Sequence, residues 1–429
     1  MNRQMLSRVG ALVAASIVLA GIVGGVMAQN MGAFSSRINS QKPEESGLTA
    51  QLPNAPVDSK LVDANTKFGF KLFSEILKQD SKKNVFVSPT SVAIALSMTY
   101  NGANGETQQA MAKALELQGM SLQDVNQANE ALKASLENAD PAVQLSIANS
   151  LWAKQGTNFK PDFMQRNQQF YKAKVTELDF AKPDATNTIN SWVKENTRGK
   201  IDKIVQQIQP DNVLFLINAI YFKGNWTKKF DKGATTERPF YLSNGTQKQH
   251  PLMSQSGKYR YFENDTLQAV SLPYGKGRLN LYVFLPKKNT NLDAFQQQLA
   301  VENWQEWMTQ FRMRQGSIQL PRFKFDYDIQ LNDALKALGM ESAFNEAKAN
   351  FSNMTSASVK INEVKHKTFV EVNEEGTEAA AATSIGIVGT AVARPEEPFQ
   401  MIVDRPFFCA IRDNQTGTIL FMGSIREPK

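Results

Sequence analysis

Hydrophobic residues recur along this chain with two alternating periods. From Leu61 they return every three or four positions, which predicts an amphipathic helix whose inner face carries Phe68, Leu72, Phe73, Ile76 and Leu77. The short apolar run at 85–87 reads as a strand. Ser88 and Pro89 follow it, and these residue types are favoured at the N-cap and first position of a helix. We therefore expect a second helix to begin there and to end near Gly102.

The strongest strand signal spans residues 213–226. It is apolar on both parities as far as Phe222, apart from Asn218, so we expect both faces of this strand to be covered. A buried, unpaired Asn218 amide would cost about 1–3 kcal/mol, so the side chain needs hydrogen-bond partners. Further strands are predicted at 149–154, 279–285 and 318–325, with a helix at 331–338 and two strands after 400 joined by a turn near 414–417.

Residues 371–405 combine conflicting propensities. The segment opens as a strand, but between Thr377 and Thr390 it carries one charge, Glu378, and nothing larger than Ile. Ala379 to Ala382 favour helix, whereas the residues after them favour strand. On composition alone this is a flexible linker. Every second residue is nevertheless small or β-branched, so the row could enter between two strands as a buried strand: Thr377, Ala379, Ala381, Thr383, Ile385, Ile387.

Four stretches decide between these interpretations. The run GTEAAAAT after two glutamates resembles the hinge of the serpin family, and the loop after it resembles a serpin reactive-centre loop. NVFVSPTS, INAIYFKGNW and the DRPFFCAIRD…GTILFMG ending resemble other serpin segments. The chain is thus identified as a member of that family from Leu61 to its end. The resemblance implies a mixed, multi-sheet α+β fold in one domain, 61–429, with a large, mostly antiparallel central sheet, about nine helices and an exposed reactive-centre loop.

The resemblance also implies the roles of individual residues. The hinge, which enters the sheet, comprises Glu374, Glu375, Gly376, Thr377, Glu378, Ala379, Ala380, Ala381, Ala382 and Thr383. The "shutter", a polar cluster beneath the central sheet, comprises Ser88, Ser91, Asn218 and His366. The "breach", where insertion begins, comprises Trp226, Arg322 and Glu374. Counting fifteen residues from Gly376 at the family's usual spacing places the bait bond at Thr390–Ala391, with the register open between Val388 and Ala393.

The amino terminus has the pattern of an export signal. Arg3 and Arg8 precede an uncharged run that ends in small residues at Ala28, which predicts a cleaved signal peptide over 1–28, with an uncleaved membrane anchor as the alternative. Residues 29–60 are polar and rich in proline, and they predict a flexible linker. We therefore expect an exported protein, secreted or periplasmic.

Little in the sequence supports an enzyme. The only histidines are His250 and His366, and no GxSxG, HExxH or P-loop motif occurs. His366 shares parity with buried strand residues, where a structural histidine is the ordinary interpretation. Cys409, the only cysteine, lies in an apolar run and is expected to be a buried thiol. No cofactor or metal is expected.

Charge narrows the set of partners. The chain has 48 Lys and Arg against 41 Asp and Glu, a formal charge of +7, with no basic block that would follow a phosphate backbone. Nucleic acid is therefore not expected, and no heparin-type helix is evident, because residues 105–120 carry Lys113 as their only base. The chain is expected to be a monomer.

The resemblance implies an inhibitor that traps a target serine protease, with a cysteine protease as the alternative target. The candidate bait residues 388–393 are all small or β-branched, which suits an elastase-like or subtilisin-like enzyme. The rival function is that of a non-inhibitory serpin, a binding or transport protein with an inert loop. A bulky, charged or proline-containing hinge would favour that rival, and Thr377 with its alanine run does not.

Overall fold

A computed structural model of the protein describes residues 56–209, 211–377 and 397–429. The predicted signal peptide and residues 29–55 of the predicted linker lie outside these ranges. Within the described residues the first helix begins at Ser59. No helix in these ranges is both long and apolar enough to cross a membrane.

Several helices of the described ranges begin at capping residues. Ser88 caps the second helix by accepting a hydrogen bond from the Ser91 N–H, and Ser121 forms a capping box with Asp124. The described residues contain ten α-helical segments, and the π-helical turn Lys336–Met340 joins the last two of them, so that they form nine α-helical units. The segments are α1 Ser59–Gln79, α2 Pro89–Tyr100, α3 Gly105–Ala114, α4 Leu122–Glu137, α5 Pro161–Tyr171, α6 Ala185–Asn196, α7 Leu292–Gln296, α8 Val301–Gln310, α9 Asn332–Leu335 and α10 Glu341–Phe344.

Fifteen strands are present in the described ranges. They are β1 Val85–Val87, β2 Val143–Lys154, β3 Lys174–Leu178, β4 Leu214–Asn225, β5 Thr236–Tyr241, β6 Gln247–Glu263, β7 Leu267–Pro273, β8 Leu279–Pro286, β9 Arg312–Pro321, β10 Phe323–Gln330, β11 Glu363–Val372, β12 Gly376–Thr377, β13 Phe399–Ile402, β14 Phe407–Asp413 and β15 Ile419–Ile425.

The strands form two sheets. The central one has the order β10-β11-β4-β2-β3, with the short β12 paired to β4. Its pairs are antiparallel except for β11 with β4 and β2 with β3. The second sheet has the order β1-β15-β14-β8-β7-β6-β9-β13, with β5 paired to β6. This architecture confirms the expected mixed α+β fold with several sheets.

Strand β4 is covered on both faces, as its apolar sequence predicted. Leu214, Leu216 and Ile220 pack into the main core. Phe215 and Ile217, of opposite parity, pack into a second cluster contributed by α6 and the segment after it. The strand therefore lies between two apolar layers, and Asn218 is enclosed within the first of them.

Two strand predictions were wrong in their boundaries. Residues 318–325 are not one strand, because the chain passes at Arg322 from β9 in the second sheet to β10 in the central sheet. The segment after 400 holds three strands rather than two, because residues 399–402 form β13 parallel to β9. A four-residue strand on a sheet edge leaves too short a pattern to be recognised as separate.

Candidate functional site

The site lies where β4, β11 and β12 meet. Strand β11 runs parallel to β4, and the pairing extends from Glu363 opposite Phe215 to Phe369 opposite Tyr221. The chain then turns back, so that Gly376 lies antiparallel to Asn225 and Thr377 to Gly224. Gly376 also bridges Asn373 on the other side. The first residues of the predicted hinge therefore already form a short strand where β4 and β11 stop pairing.

The two hinge residues of β12 are tightly enclosed. Gly376 has φ +135°, and a Cβ there would lie 2.2 Å from the Gly224 carbonyl oxygen, so only glycine fits this position. The side chain of Thr377 faces inward: the residue is 1% exposed, and its Oγ1 lies 3.0 Å from the Tyr274 hydroxyl oxygen. The hinge thus enters the sheet through a slot that admits only small residues.

The structure brings the three predicted breach residues together around the turn before β12. Glu374 is 2% exposed, and its Oε1 accepts hydrogen bonds from Arg322 Nε at 2.7 Å, from Arg322 Nη2 and from Thr235 Oγ1 at 2.5 Å. Arg322 Nε and Nη2 both donate to the same carboxylate oxygen, so the pair is not bidentate, which is the geometry that holds a carboxylate most rigidly. Burial alone would raise the pKa of Glu374, but the bonds from Arg322 and Thr235 outweigh it and lower the pKa. Glu374 is therefore charged at neutral pH.

Trp226 stabilises the same turn with two hydrogen bonds. Its indole N–H donates to the Asn373 carbonyl at 2.9 Å, and its backbone N–H donates to the Glu375 carbonyl at 3.0 Å. The indole stacks on Tyr274 with ring centroids 4.5 Å apart. Trp226 therefore binds the carbonyl groups of both Asn373 and Glu375. Tyr274 contacts Trp226 through its ring and Thr377 through its hydroxyl group.

Sequence reasoning missed several residues at this end of the sheet. Glu375 forms ion pairs with Lys229 at 2.5 Å and with Lys232 at 3.0 Å, and these lower its pKa. Tyr274 lies under Thr377. The lysines follow the recognised GNW run, which was the only available signal for them. Tyr274 comes from a loop between β7 and β8, and its part in the site depends on tertiary contact alone.

The four predicted shutter residues also lie together, and each is at most 1% exposed. The Ser88 backbone N–H donates to His366 Nε2 at 3.0 Å, and Asn218 Nδ2 donates to Ser91 Oγ at 2.5 Å. His366 Nδ1 lies 2.6 Å from Asn218 Oδ1. The cluster therefore joins the amino terminus of α2 to the two parallel strands β4 and β11.

The hydrogen bonds of His366 define its protonation. Because Nε2 accepts from the Ser88 backbone N–H, the ring proton must be on Nδ1, which donates to Asn218. Burial lowers the pKa of His366 to about 3, so the ring is neutral at physiological pH. Both nitrogens are engaged in structure, which agrees with the ordinary interpretation of this histidine.

Asn149 of β2 belongs to the same cluster and was not predicted. It lies directly opposite Asn218, and its Oδ1 accepts from Asn218 Nδ2 at 2.5 Å. Asn149, Asn218 and His366 therefore form a polar row across three neighbouring strands at one level. An asparagine within the strand-like NSLWAK run was the signal available in the sequence.

Other predicted residues lie outside the described ranges. They are the remaining hinge residues, Glu378 to Thr383, and both residues of the candidate bait bond, Thr390 and Ala391. Among the residues that are described, no group of histidine, cysteine or carboxylate side chains could hold a metal ion.

Most of the chain matches one protein family. The family model described as "Serpin (serine protease inhibitor)" matches residues 63–428. The chain is a serpin. This confirms the identification made from the hinge and strand motifs. Members of this family are protease inhibitors rather than catalytic enzymes, which confirms the prediction that the chain is not an enzyme and supports a protease as its partner.

Individual relatives match this serpin over nearly their whole length. Human leukocyte elastase inhibitor is 37% identical over 382 residues, covering 86% of this chain and 100% of the relative. Human serpin B8 is 36% identical over 377 residues, covering 86% and 99%. These sequences place this serpin among relatives that include an elastase inhibitor.

Solved serpin structures share its fold. The native state of the thermophilic serpin tengpin superposes with a TM-score of 0.79 at 33% identity, covering 87% of this chain and 95% of tengpin. Human thyroxine-binding globulin with its ligand gives a TM-score of 0.79 at 25% identity, covering 86% and 99%. These neighbours include a binding protein, so the shared fold does not by itself identify an inhibitor.

Proposed function

We propose that this serpin inhibits an elastase-like or subtilisin-like serine protease as a suicide substrate, by inserting its cleaved loop into the central sheet. The observation that carries the proposal is the pairing of Gly376 and Thr377 with β4. An incoming strand that follows β12 would run antiparallel to both β4 and β11, because these two strands are parallel to each other. A strand entering between β4 and β11 would therefore be antiparallel to both of them, and its first two residues, Gly376 and Thr377, are already paired with β4.

The register of β12 predicts where the rest of the loop would go. If the pairing of Thr377 with Gly224 continues, Thr383 comes opposite Asn218, and Ile387 comes opposite Leu214, the first residue of β4. The strand available for pairing therefore ends where the row of small and β-branched residues ends. Those residues would share the inward parity of Thr377, whereas Glu378 would lie on the other face, opposite the partly exposed Lys223.

The chemistry begins as ordinary proteolysis. The protease serine Oγ bonds to the carbonyl carbon of Thr390, the bond to the Ala391 nitrogen breaks, and that nitrogen takes a proton from the protease general acid. The product is an ester that water would normally hydrolyse. Insertion along the 12 residues of β4 would carry the attached protease roughly 40 Å towards the far end of the sheet. Loss of active-site geometry there leaves the ester intact.

Trapping requires insertion to be faster than hydrolysis of the ester. In the described structure, the slot around Gly376 and the breach contacts would determine the rate of the first step of insertion. The shutter sets a later step, because the incoming strand must separate Asn218 from His366. Hydrogen bonds suit this task, because a polar strand edge can exchange partners more readily than interlocked apolar side chains can.

The bait residues support the choice of target. Every residue from 388 to 393 is small or β-branched, which fits a shallow specificity pocket. A trypsin-like enzyme would have to use Arg394, and cleavage there would leave a longer insertable arm than the serpin family normally uses. Elastase-like and subtilisin-like proteases are therefore the proposed targets.

The test is incubation with pancreatic elastase, subtilisin and trypsin, followed by denaturing electrophoresis and mass spectrometry. We expect an SDS-stable complex with an elastase-like or subtilisin-like enzyme, and a released carboxyl-terminal fragment that begins at Ala391. A fragment that begins at Pro395 would overturn both the register and the target class. Cleavage by every enzyme without any stable complex would instead support the rival function of a non-inhibitory binding or transport protein.

We also propose that the protein is exported and acts outside the cytoplasm, after removal of residues 1–28. The support is the pattern of Arg3 and Arg8 followed by an uncharged run to Ala28. Amino-terminal sequencing of the protein recovered from culture medium or periplasm tests this directly. We expect a new terminus at Gln29, whereas a full-length chain in the membrane fraction would support the anchor.

A further inference from the structure

One face of the second sheet is open to solvent beside the point where the reactive-centre loop returns to the fold. We call it the open face; its exposed members are Ser256, Lys258 and Arg260 of β6, Met313 and Gln315 of β9, and Gln400 of β13. Lys258 lies opposite Gln315, and Arg260 lies opposite Met313. Because alternate residues of a strand share a face, these side chains all point the same way.

The chemistry of the open face is unlike that of an ordinary solvated sheet. Its two charges are both positive, and within the described ranges neither Lys258 nor Arg260 forms an ion pair. Met313 is 63% exposed, more than any other large apolar residue in the described part of the chain. Methionine and arginine are enriched at protein–protein contacts. A partner surface with an acidic group and an apolar group would match this face.

Strand register places the open face next to the loop. Phe399, the first residue of β13, lies opposite Gly316, which in turn lies opposite Gly257 of β6. Pro398 precedes Phe399, so it lies at the level of Gln315 and Lys258. The β13 position is two strands from β6, about 10 Å at the usual strand spacing. Arg314 fixes this end of the loop, with its Nη2 donating to the Glu397 carbonyl at 3.3 Å.

We infer that the open face is a second contact surface for the attacking protease, and that it favours enzymes with acidic residues on the rim of the cleft. The inference deepens the proposed function and rests on it. At most ten residues join a bait bond in 388–394 to Pro398, a reach of roughly 33 Å. A protease of ~250 residues has a radius of gyration of about 18 Å, so its body is wider than this tether. Its rim therefore comes within contact distance of the open face while the loop occupies the cleft.

A polyanion fits the open face less well. Two cations would neutralise only about two phosphate or sulfate groups, too few for strong binding at physiological salt. An acidic protease rim needs no such track, because attraction between a few charges near the bait loop raises the association rate directly.

The test is a charge swap between the serpin and subtilisin, which cleaves exposed loops of many sequences. Lys258→Glu combined with Arg260→Glu is compared with wild type against two forms of subtilisin, one with aspartates and one with lysines introduced on the cleft rim. The matched control is Lys67→Glu combined with Lys82→Glu, two exposed lysines at α1 and the turn after it. The measured quantity is the second-order rate constant for attack on the loop, counting cleaved and complexed serpin together.

We expect the Lys258/Arg260 variant to be attacked about tenfold more slowly by the aspartate form and faster by the lysine form, with both effects fading at high salt. The control pair should behave as wild type. Equal rates for both double variants with both proteases would overturn the inference. The inference would also be overturned if a heparin oligosaccharide bound wild type but not the Lys258/Arg260 variant, while both were attacked at the same rate in the absence of heparin. The fraction of attacked serpin in SDS-stable complex is read separately, so failure of trapping is distinguishable from failure of this contact.

Discussion

At the scale of single residues, the hinge depends on size and the shutter depends on hydrogen bonding. The slot at Gly376 excludes even a Cβ, and Thr377 presents the smallest β-branched side chain that can also bond to Tyr274. In the shutter, by contrast, Asn218 and His366 are large and are retained by their partners. A substitution therefore has a different consequence in each place.

Replacing Thr377 with arginine should convert this inhibitor into a substrate. Because Thr377 is already buried in β12, the charged side chain would first displace the hinge from the sheet, and its return during insertion would bury the charge against Tyr274 at a cost of several kcal/mol. Opposing insertion by that amount slows it about a hundredfold or more, so hydrolysis of the ester wins. The yield of SDS-stable complex per cleaved molecule measures the effect. Thr377→Ser is the control, since it keeps the hydroxyl group, and unchanged trapping by Thr377→Arg would show that the side chain need not be buried during insertion.

His366 should make the stability of the native fold depend on pH. Burial lowers its native pKa to about 3, below the ordinary value of 6.5 in the unfolded chain. Between these values the unfolded chain binds a proton that the native state does not. Stability is therefore complete above about pH 6.5 and falls with acidification, by a few kcal/mol in total.

This dependence can be isolated because the chain has only two histidines. Urea-unfolding midpoints are compared at pH 7.5 and pH 5, where most carboxylates remain ionised in both states. His366→Gln should reduce the difference between the two midpoints. The pKa of His250 is also lowered by burial, so His250→Gln serves as the matched variant. An identical pH response in wild type and His366→Gln would contradict the assignment.

At the scale of elements, the parallel pairing of β4 with β11 allows a third strand to be added between them. A strand that is antiparallel to both would give a regular antiparallel sheet, and β12 is the start of such a strand. The polar row of Asn149, Asn218 and His366 lies across the path that the incoming strand must take. Insertion therefore has to break the contact between Asn218 and His366.

This requirement predicts a spectroscopic change confined to one histidine. In the loop-cleaved protein, Thr383 should stand between Asn218 and His366, so the imidazole signals of His366 should shift. His250 lies outside the two strands that part and should change little. Proton–nitrogen NMR of both imidazoles before and after cleavage measures this. The cleaved Thr377→Arg variant should keep the native His366 signals, and a shift there would mean that cleavage acts on the shutter without insertion.

Period and parity were enough to predict the helices and strands that are long or apolar on both faces, such as α1 and β4. They failed at Arg322, because the sequence continues as a regular strand while the chain changes sheets. The shutter was predictable because Ser88, Ser91 and Asn218 lie in recognised motifs and His366 shares parity with buried strand residues. Asn149, Tyr274 and Lys229 were missed because their roles come from contacts between distant elements, which no local pattern records. The burial of Glu374 was missed for the same reason.

At the scale of the whole molecule, the proposed mechanism requires a native state that is less stable than the inserted one. The described structure shows where the difference would arise: β4 and β11 pair directly with each other from Phe215 to Tyr221, and only the first two residues of the incoming strand, Gly376 and Thr377, are paired, both with β4. Insertion would replace the direct β4–β11 hydrogen bonds with two sets, one to each strand, and would bury the small and β-branched row. The native fold is then held by kinetics, with the intact loop too short to enter fully while both of its ends are attached.

Cleavage of the loop should therefore raise thermal stability. Subtilisin at a low molar ratio should cut within the loop, and the intact and cleaved proteins are then compared by scanning calorimetry. A gain of ~5 kcal/mol corresponds to a rise in Tm of about 10 °C or more at ~2 °C per kcal/mol for a large domain. The Thr377→Arg variant, cleaved in the same way, should rise much less, because its hinge resists entry. If intact and cleaved wild type melt at the same temperature, the loop does not insert, and inhibition by this route is excluded however well the hinge fits its slot.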